Sequence, residues 1–180
     1  MEKIELIEKY IILLLGVKDD SIYSDLHLQK EMFLLANSLP HLKEAFDFEK
    51  HYYGPYSQIV EEIIQTPRYT DKAFSFDGKK IFLSENGKTE YNKIIKIKSK
   101  ENSFNELSAL IKIIRSLYDS LSGEELLFLM YETFPEFTKY SEVSDNILKN
   151  KYNRKRILEG LYAKSIITDE RYLELKNAKI

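Results

Sequence analysis

The chain of 180 residues has no cysteine and no tryptophan, and only six glycines, four prolines and three histidines. Without cysteine there can be no disulfide, no thiolate zinc site and no cysteine nucleophile. The glycines stand apart from one another, so no glycine-rich loop of the P-loop or dinucleotide type is present to cradle phosphates. A serine nucleophile elbow is also missing. The longest apolar run, Tyr10 to Val17, falls well short of the roughly 20 residues that a membrane span needs. The opening "MEKIELIEK" mixes acids with lysines, unlike the basic start of a secretory signal. These absences predict a cytoplasmic protein with no membrane partner and no cofactor. They leave an enzyme reading without a motif: among 29 acidic residues some pair must lie close in space, but nothing marks one.

What is present is an ordinary globular composition, 43% hydrophobic and 31% charged, which excludes a disordered chain. The net charge of −2 gives no overall attraction to nucleic acid, so the distribution of charge decides more. Residues 1–50 carry six basic and ten acidic side chains, and residues 51–100 carry nine and six. A second basic stretch, "KNKYNRKRILEGLYAK" (149–164), sets six basic residues against Glu159 alone.

Periodicity predicts a first helix from Ile4 to about Val17, apolar on most of its surface and therefore buried on several sides. A second helix follows the cap residues Ser24 and Asp25, with Leu28, Met32, Leu35, Ala36 and Leu39 on one stripe and Pro40 closing it. "FDFEKHYY" alternates as a short strand would. Gly54 marks a corner and Pro55 suits the first position of a helix, whose stripe is Tyr56, Ile59, Val60, Ile63 and Ile64. "FSFDGKKIFL" (74–83) places Asp-Gly between two β-prone runs, a strong hairpin signal. Ser84 opens a lysine-rich helix. Beyond the polar stretch 98–103 the chain reads as all helix, with capping-box spacing at Ser103/Glu106 and Ser122/Glu125 and further helices from about Ser141, Asn153 and Thr168.

The fold class expected is mainly α with a small β-hairpin wing: a winged-helix-like part over 1–100 and a helical part over 101–180. Helix, helix, strand, helix, hairpin, helix is the element order of a winged helix. On that reading Lys79 and Lys80 flank the wing tip, and Lys88 and Lys93 follow it, where phosphates are met. Gln58 and Gln65 on the third helix are candidates for base contacts. Glu61 and Glu62 share its outer face and repel a polyanion, which favours a protein partner there. Two histidine–glutamate pairs at helical spacing, His27 with Glu31 and His41 with Glu44, lack the further ligands of a metal site and read as surface polarity. His51 reads as a strand histidine.

Three stretches, "LQKEMFLL" (28–35), "FDFEKHYYGPYSQIVEEI" (46–63) and "IFLSENGKTEY" (81–91), resemble the YwgA-like and SocA-like (Panacea) domains of prokaryotes. "LSGEELLFLMYETFPEFTKYSE" (121–142) is similar to the helical tail of the YwgA-like members. The resemblance covers most of the chain, with Gly54-Pro55 its most specific point, although Pro55-Tyr56-Ser57 stands where SocA-like domains commonly have Pro-Val. It implies a winged-helix-related fold and a non-enzymatic role, some members holding a protein partner as antitoxins or protease adaptors. Gln29, Lys30, Tyr53, Gly54 and Pro55 are the signature positions carried over, and Gln29 and Lys30 are expected off the apolar stripe.

Two readings follow. One is a winged-helix-type regulatory protein that binds DNA. The other is a protein-interaction module, with Gln29, Lys30, Glu61, Glu62, Arg154, Lys155 and Arg156 as candidate contacts. The apolar helices at 4–17 and 104–121 fit an intrachain core or a homodimer face equally.

Overall fold

The computed structural model describes residues 2–18 and 20–178, apart from the side chain of His41. It is mainly helical, with 65% helix and ten helices among those residues, plus an antiparallel two-stranded hairpin, which is the expected class. The chain divides into two compact units, one over 1–49 and 57–119, the other over 50–56 and 120–180.

In chain order the elements up to the hairpin are α1 (Lys3–Gly16), α2 (Asp25–Ser38), α3 (Pro40–Phe46), β1 (Glu49–His51), β2 (Gly54–Tyr56) and α4 (Gln58–Gln65), with residues 50–56 belonging to the second unit. The hairpin β3 (Phe74–Asp77) and β4 (Lys80–Leu83) comes next, then α5 (Glu85–Lys98) and α6 (Asn102–Tyr118). Helix α1 is central: it meets α3, α4, α5, α6 and β4. That explains its two apolar sides, since Ile7, Ile11 and Leu14 are buried along with Ile12, Leu13 and Leu15. Each such side chain stabilises the unit by about 1.5–3 kcal/mol.

The first unit has winged-helix order. Ile22 bridges to Ile81 through two backbone hydrogen bonds of 2.8 and 2.9 Å, adding a third short strand position to the hairpin. The ladder runs Phe74↔Leu83 to Asp77↔Lys80, leaving Gly78 and Lys79 as the loop, with Gly78 at φ +59. The Leu-Ser-x-x-Gly start of α5 has a packing reason. A Cβ on Gly87 would stand 2.2 Å from the Ala73 carbonyl oxygen, so only glycine lets α5 start against the hairpin.

Several expectations are corrected here. Pro55 lies in β2, not at the start of a helix; Gly54 before it takes φ +81, and α4 begins at Gln58 behind the N-cap Ser57. Pro40 opens α3 as well as following α2. The Ser103/Glu106 box does not form, because α6 begins at Asn102 and Ser103 is already inside its first turn. The contacts place α6 with the first unit and residues 50–56 with the second, so the change of unit at 119/120 differs from the 100/101 division expected from composition.

Gln29 is not on an outer face. It is 1% exposed, and its amide brackets Ser57: Nε2 donates to the Ser57 carbonyl at 3.1 Å while the Ser57 N–H donates to Oε1 at 2.9 Å. Ser57 Oγ in turn donates to the Phe46 carbonyl at 2.5 Å. In a winged helix a short turn joins the paired helices; here residues 39–57 intervene, and this clamp ties the start of α4 to α2. Gln29→Ala would orphan the buried Ser57 N–H, while the Ser57 carbonyl keeps the Glu61 N–H at 3.3 Å, and is expected to cost about 1–3 kcal/mol in urea unfolding. A change below 0.5 kcal/mol would remove the clamp from the account.

The second unit contains α7 (Gly123–Thr133), a 3-10 turn at Pro135–Phe137, α8 (Ser144–Leu148), α9 (Lys151–Ala163) and α10 (Asp169–Asn177). Ser122 and Glu125 form the expected capping box. Asn150 and Thr168 cap α9 and α10. Leu126, Phe128, Met130, Tyr131, Ile157 and Leu161 are among its buried side chains. Strand β2 packs on α7, and the Glu142 N–H donates to the Tyr52 carbonyl at 3.3 Å.

Candidate nucleic-acid interface

The loop between α4 and the wing is held from inside. Glu8, 1% exposed on α1, accepts backbone N–H bonds from Arg68 (2.8 Å), Tyr69 (3.1 Å) and Thr70 (2.6 Å). Three amides satisfying one buried carboxylate make a fixed support, so the hairpin leaves the body of the unit from a defined point. Ser84 Oγ donates to the Lys72 carbonyl at 2.5 Å and accepts from the Gly87 N–H at 3.2 Å, which fixes the other end of the hairpin.

At the tip, Lys79 and Lys80 are both exposed and neither has an ion-pair partner among the described residues. Asp77 stands opposite Lys80 in the register, so the tip carries one net positive charge. Lys88 and Lys93 are also exposed but each is paired three residues back, with Glu85 at 3.2 Å and Glu90 at 3.1 Å. Exposed pairs of this spacing are worth less than about 1 kcal/mol, so a phosphate could displace them at small cost. The two groups of lysines are therefore not equivalent: the wing pair is available outright.

Helix α4 buries Val60, Ile63 and Ile64 and turns Gln58, Glu62 and Gln65 outward, with Glu61 half-buried. Gln58 Nε2 donates to Glu62 Oε1 at 2.8 Å, so its amide is engaged on the helix itself. Burial and then the Glu61 charge raise the carboxyl of Asp25 at the start of α2. The face is poorly suited to the major groove.

Of the remaining candidates, Lys30 is 1% exposed, and burial lowers its amine to about 7 with the Asp25 charge pulling the other way. Neither Gln29 nor Lys30 can meet a partner while buried, which corrects their expected position: α2 is covered on both sides. Arg154 is 7% exposed, donating to Glu132 at 3.0 Å and to the Leu175 carbonyl at 3.0 Å, with the Phe128 ring 5.1 Å away. Lys155 is exposed, 3.7 Å from Glu159, and Arg156 holds Glu124. Tyr53 is 47% exposed.

The histidine pairs are also corrected where they are described. His27 is 1% exposed with its Nδ1 2.9 Å from Ser24 Oγ, and Glu31 is fully buried, so neither is surface polarity. The side chain of His41 lies outside the described residues. His51 stacks on Tyr56 with centroids 4.7 Å apart. No group of three or more metal-ligating side chains exists among the described residues, and no helix there is long and apolar enough to cross a membrane.

Sequence reasoning missed Arg115 and Glu8. Arg115 is fully buried and donates to the Leu14 carbonyl and to Asp119, both at 2.7 Å. A signal existed: Arg115 follows Ile111 by four residues, on the apolar side of α6, and Asp119 follows by four more. The inner faces of α1 and α6 are spent on the intrachain core, while Ile113 and Leu117 on α6 remain 56% and 42% exposed.

A scan against protein-family models gives no match, and a search of curated proteins gives none either.

Proposed function

We propose that the chain is a non-enzymatic, winged-helix-type regulatory protein that binds duplex DNA. The wing meets the phosphate backbone, the lysines of α5 add to the field, and α4 stays out of the major groove. The observation that carries this reading is the pair Lys79 and Lys80, exposed and without ion-pair partners at the tip of a hairpin anchored at both ends. Phosphate contacts of this kind give affinity without sequence preference. The likeness of residues 28–35, 46–63 and 81–91 to the YwgA-like and SocA-like domains favours a regulatory role.

Changing Lys79 and Lys80 together to Glu is expected to weaken binding of any duplex at least tenfold, about 1.4 kcal/mol. Changing Glu61 and Glu62 to Gln is expected to leave binding equal or tighter, since repulsion is removed. Fluorescence anisotropy with two unrelated duplexes checks both. Loss of binding on Glu61/Glu62 replacement, with the wing variant unaffected, would assign α4 as the contact instead.

A second reading rests on the acidic face of α4. There Glu61 and Glu62 would hold a protein partner with a basic surface, as an antitoxin or adaptor does. A nuclease-treated pull-down that recovers one partner in stoichiometric amount, and loses it on Glu61/Glu62 replacement, would favour it.

A further inference from the structure

Between α9 and α10 in the second unit lies an open groove of about 610 Å³. Lys151, Arg154, Lys155 and Leu158 line it from one face of α9, and Tyr172 and Lys176 from α10. The spacing of the first four, i, i+3, i+4 and i+7, is one helical stripe, so the convergence of charge is built by the helix and not by a loop. Among the described residues no carboxylate lines the groove.

The counter-charges make the point sharper. Lys149, Arg156, Lys164 and Arg171 of the same unit each hold a carboxylate within ion-pair distance. Lys151 and Lys176 in the groove hold none among the described residues, and Lys155 has only Glu159 at 3.7 Å, both largely exposed. Lys176 Nζ instead lies 5.5 Å from the centre of the Tyr172 ring. Arg154 donates to Glu132 and the Leu175 carbonyl and its charge is balanced by Glu132, so the unbalanced charge of the groove comes from the lysines. Like charges gathered around one cavity repel one another, and a multivalent anion reverses the sign of that term. Ammonium groups suit phosphate oxygens as point charges. The volume falls in the range of small-molecule sites, roughly 300–1,000 Å³. Leu158 and the Tyr172 ring provide an apolar wall for the body of such a ligand.

We infer that this groove binds a small polyphosphate, either inorganic triphosphate or the triphosphate of a nucleotide. The shared chemistry is a chain of phosphates met by Lys151, Lys155 and Lys176. The inference stands apart from the DNA-binding reading, since the groove belongs to the second unit and the wing to the first.

The test is isothermal titration of the full chain with inorganic triphosphate and, separately, ATP in 150 mM salt without added metal. Saturable one-to-one binding of either is expected. The double variant Lys151→Glu, Lys176→Gln should weaken it at least tenfold. Lys79→Glu with Lys80→Glu should not change it by more than about twofold. Glutamate at the first position of α9 suits the helix dipole, so the fold should be kept. Lys155→Gln is a second variant, expected to give a smaller loss. ATP binding tighter than triphosphate would identify the nucleotide as the source; equal affinities would identify the phosphates alone. Absence of saturable binding by both probes would overturn the inference, as would equal binding by wild type and the groove variants. So would loss of duplex DNA retention in the groove variant with no triphosphate binding in the wild type, which would make the groove a nucleic-acid contact.

Discussion

Arg115→Met is expected to lose about 3–5 kcal/mol of stability, the largest effect of any single change considered for this chain. Arg115 is fully buried yet holds four acceptors: the carbonyls of Leu14 (2.7 Å), Asp20 (3.1 Å) and Ser21 (3.4 Å), and Asp119 Oδ1 (2.7 Å). Leu14 lies in the last turn of α1, where carbonyls have no partner within the helix. One guanidinium therefore caps α1, pins the loop after it and neutralises Asp119. Methionine fills much of the volume but leaves the buried Leu14 carbonyl unpaired and removes the cation beside the buried Glu31. Lysine, a point donor on a flexible stem, is expected to recover less than half of the loss. Urea unfolding at pH 7 measures it, and a loss under 1 kcal/mol would show that water satisfies these carbonyls readily.

Lys30→Met is expected to raise stability relative to wild type by more at pH 6 than at pH 10, because only wild type carries the cost of protonating a buried amine at the lower pH. Burial lowers the amine to about 7 from 10.5, although Asp25 opposes this. Below about 7 both folded and unfolded chains carry the proton, and the full cost of a buried charge is present. Between 7 and 10.5 the unfolded chain binds more protons than the folded one, so stability from this group rises with pH. The variant should lack that rise and lose its advantage toward pH 10. Glu31 acts in the opposite direction. Burial, then the Asp119 charge, raise its carboxyl well above 4.5 against the pull of Arg115, and among the described residues neither of its oxygens has a hydrogen-bond partner. Its contribution is fully present below 4.5 and declines as pH rises toward the folded value, a decline that Glu31→Gln should remove. Urea midpoints of wild type and both variants from pH 4 to 10 check the signs. Three parallel curves would contradict them.

What could be read in the chain beforehand was local. The apolar surface of α1, the Asp77-Gly78 hairpin and the Ser122/Glu125 box each depend on residues within one or two turns of each other. The failures are long-range. Gln29 meets Ser57 across 28 positions, and Arg115 meets Leu14 across 101, so neither spacing carries a signal. Gln29, Lys30 and Glu31 look like a polar face only while α2 is considered alone; with neighbours on both sides it has no outer face there. Proline suits the first turn of a helix, which is the local signal at Pro55, but Gly54 at φ +81 sends the chain into β2 first. For the candidate interface, the exposure of Lys79 and Lys80 follows from a two-residue loop, whereas the supports beneath it, Glu8 above all, come from packing.

The central claim is that the wing binds DNA through phosphates. Its most direct test is the salt dependence of binding: anisotropy of a labelled duplex of arbitrary sequence, titrated with wild type and with the Lys79→Glu, Lys80→Glu variant from 50 to 300 mM salt. For wild type, log affinity should fall linearly with log salt with a slope of about −2 to −4, corresponding to two to four neutralised phosphates. The slope of the variant should be shallower by about 2. Equal and negligible retention at both ends of the salt range, or identical slopes for the two proteins, would contradict the claim.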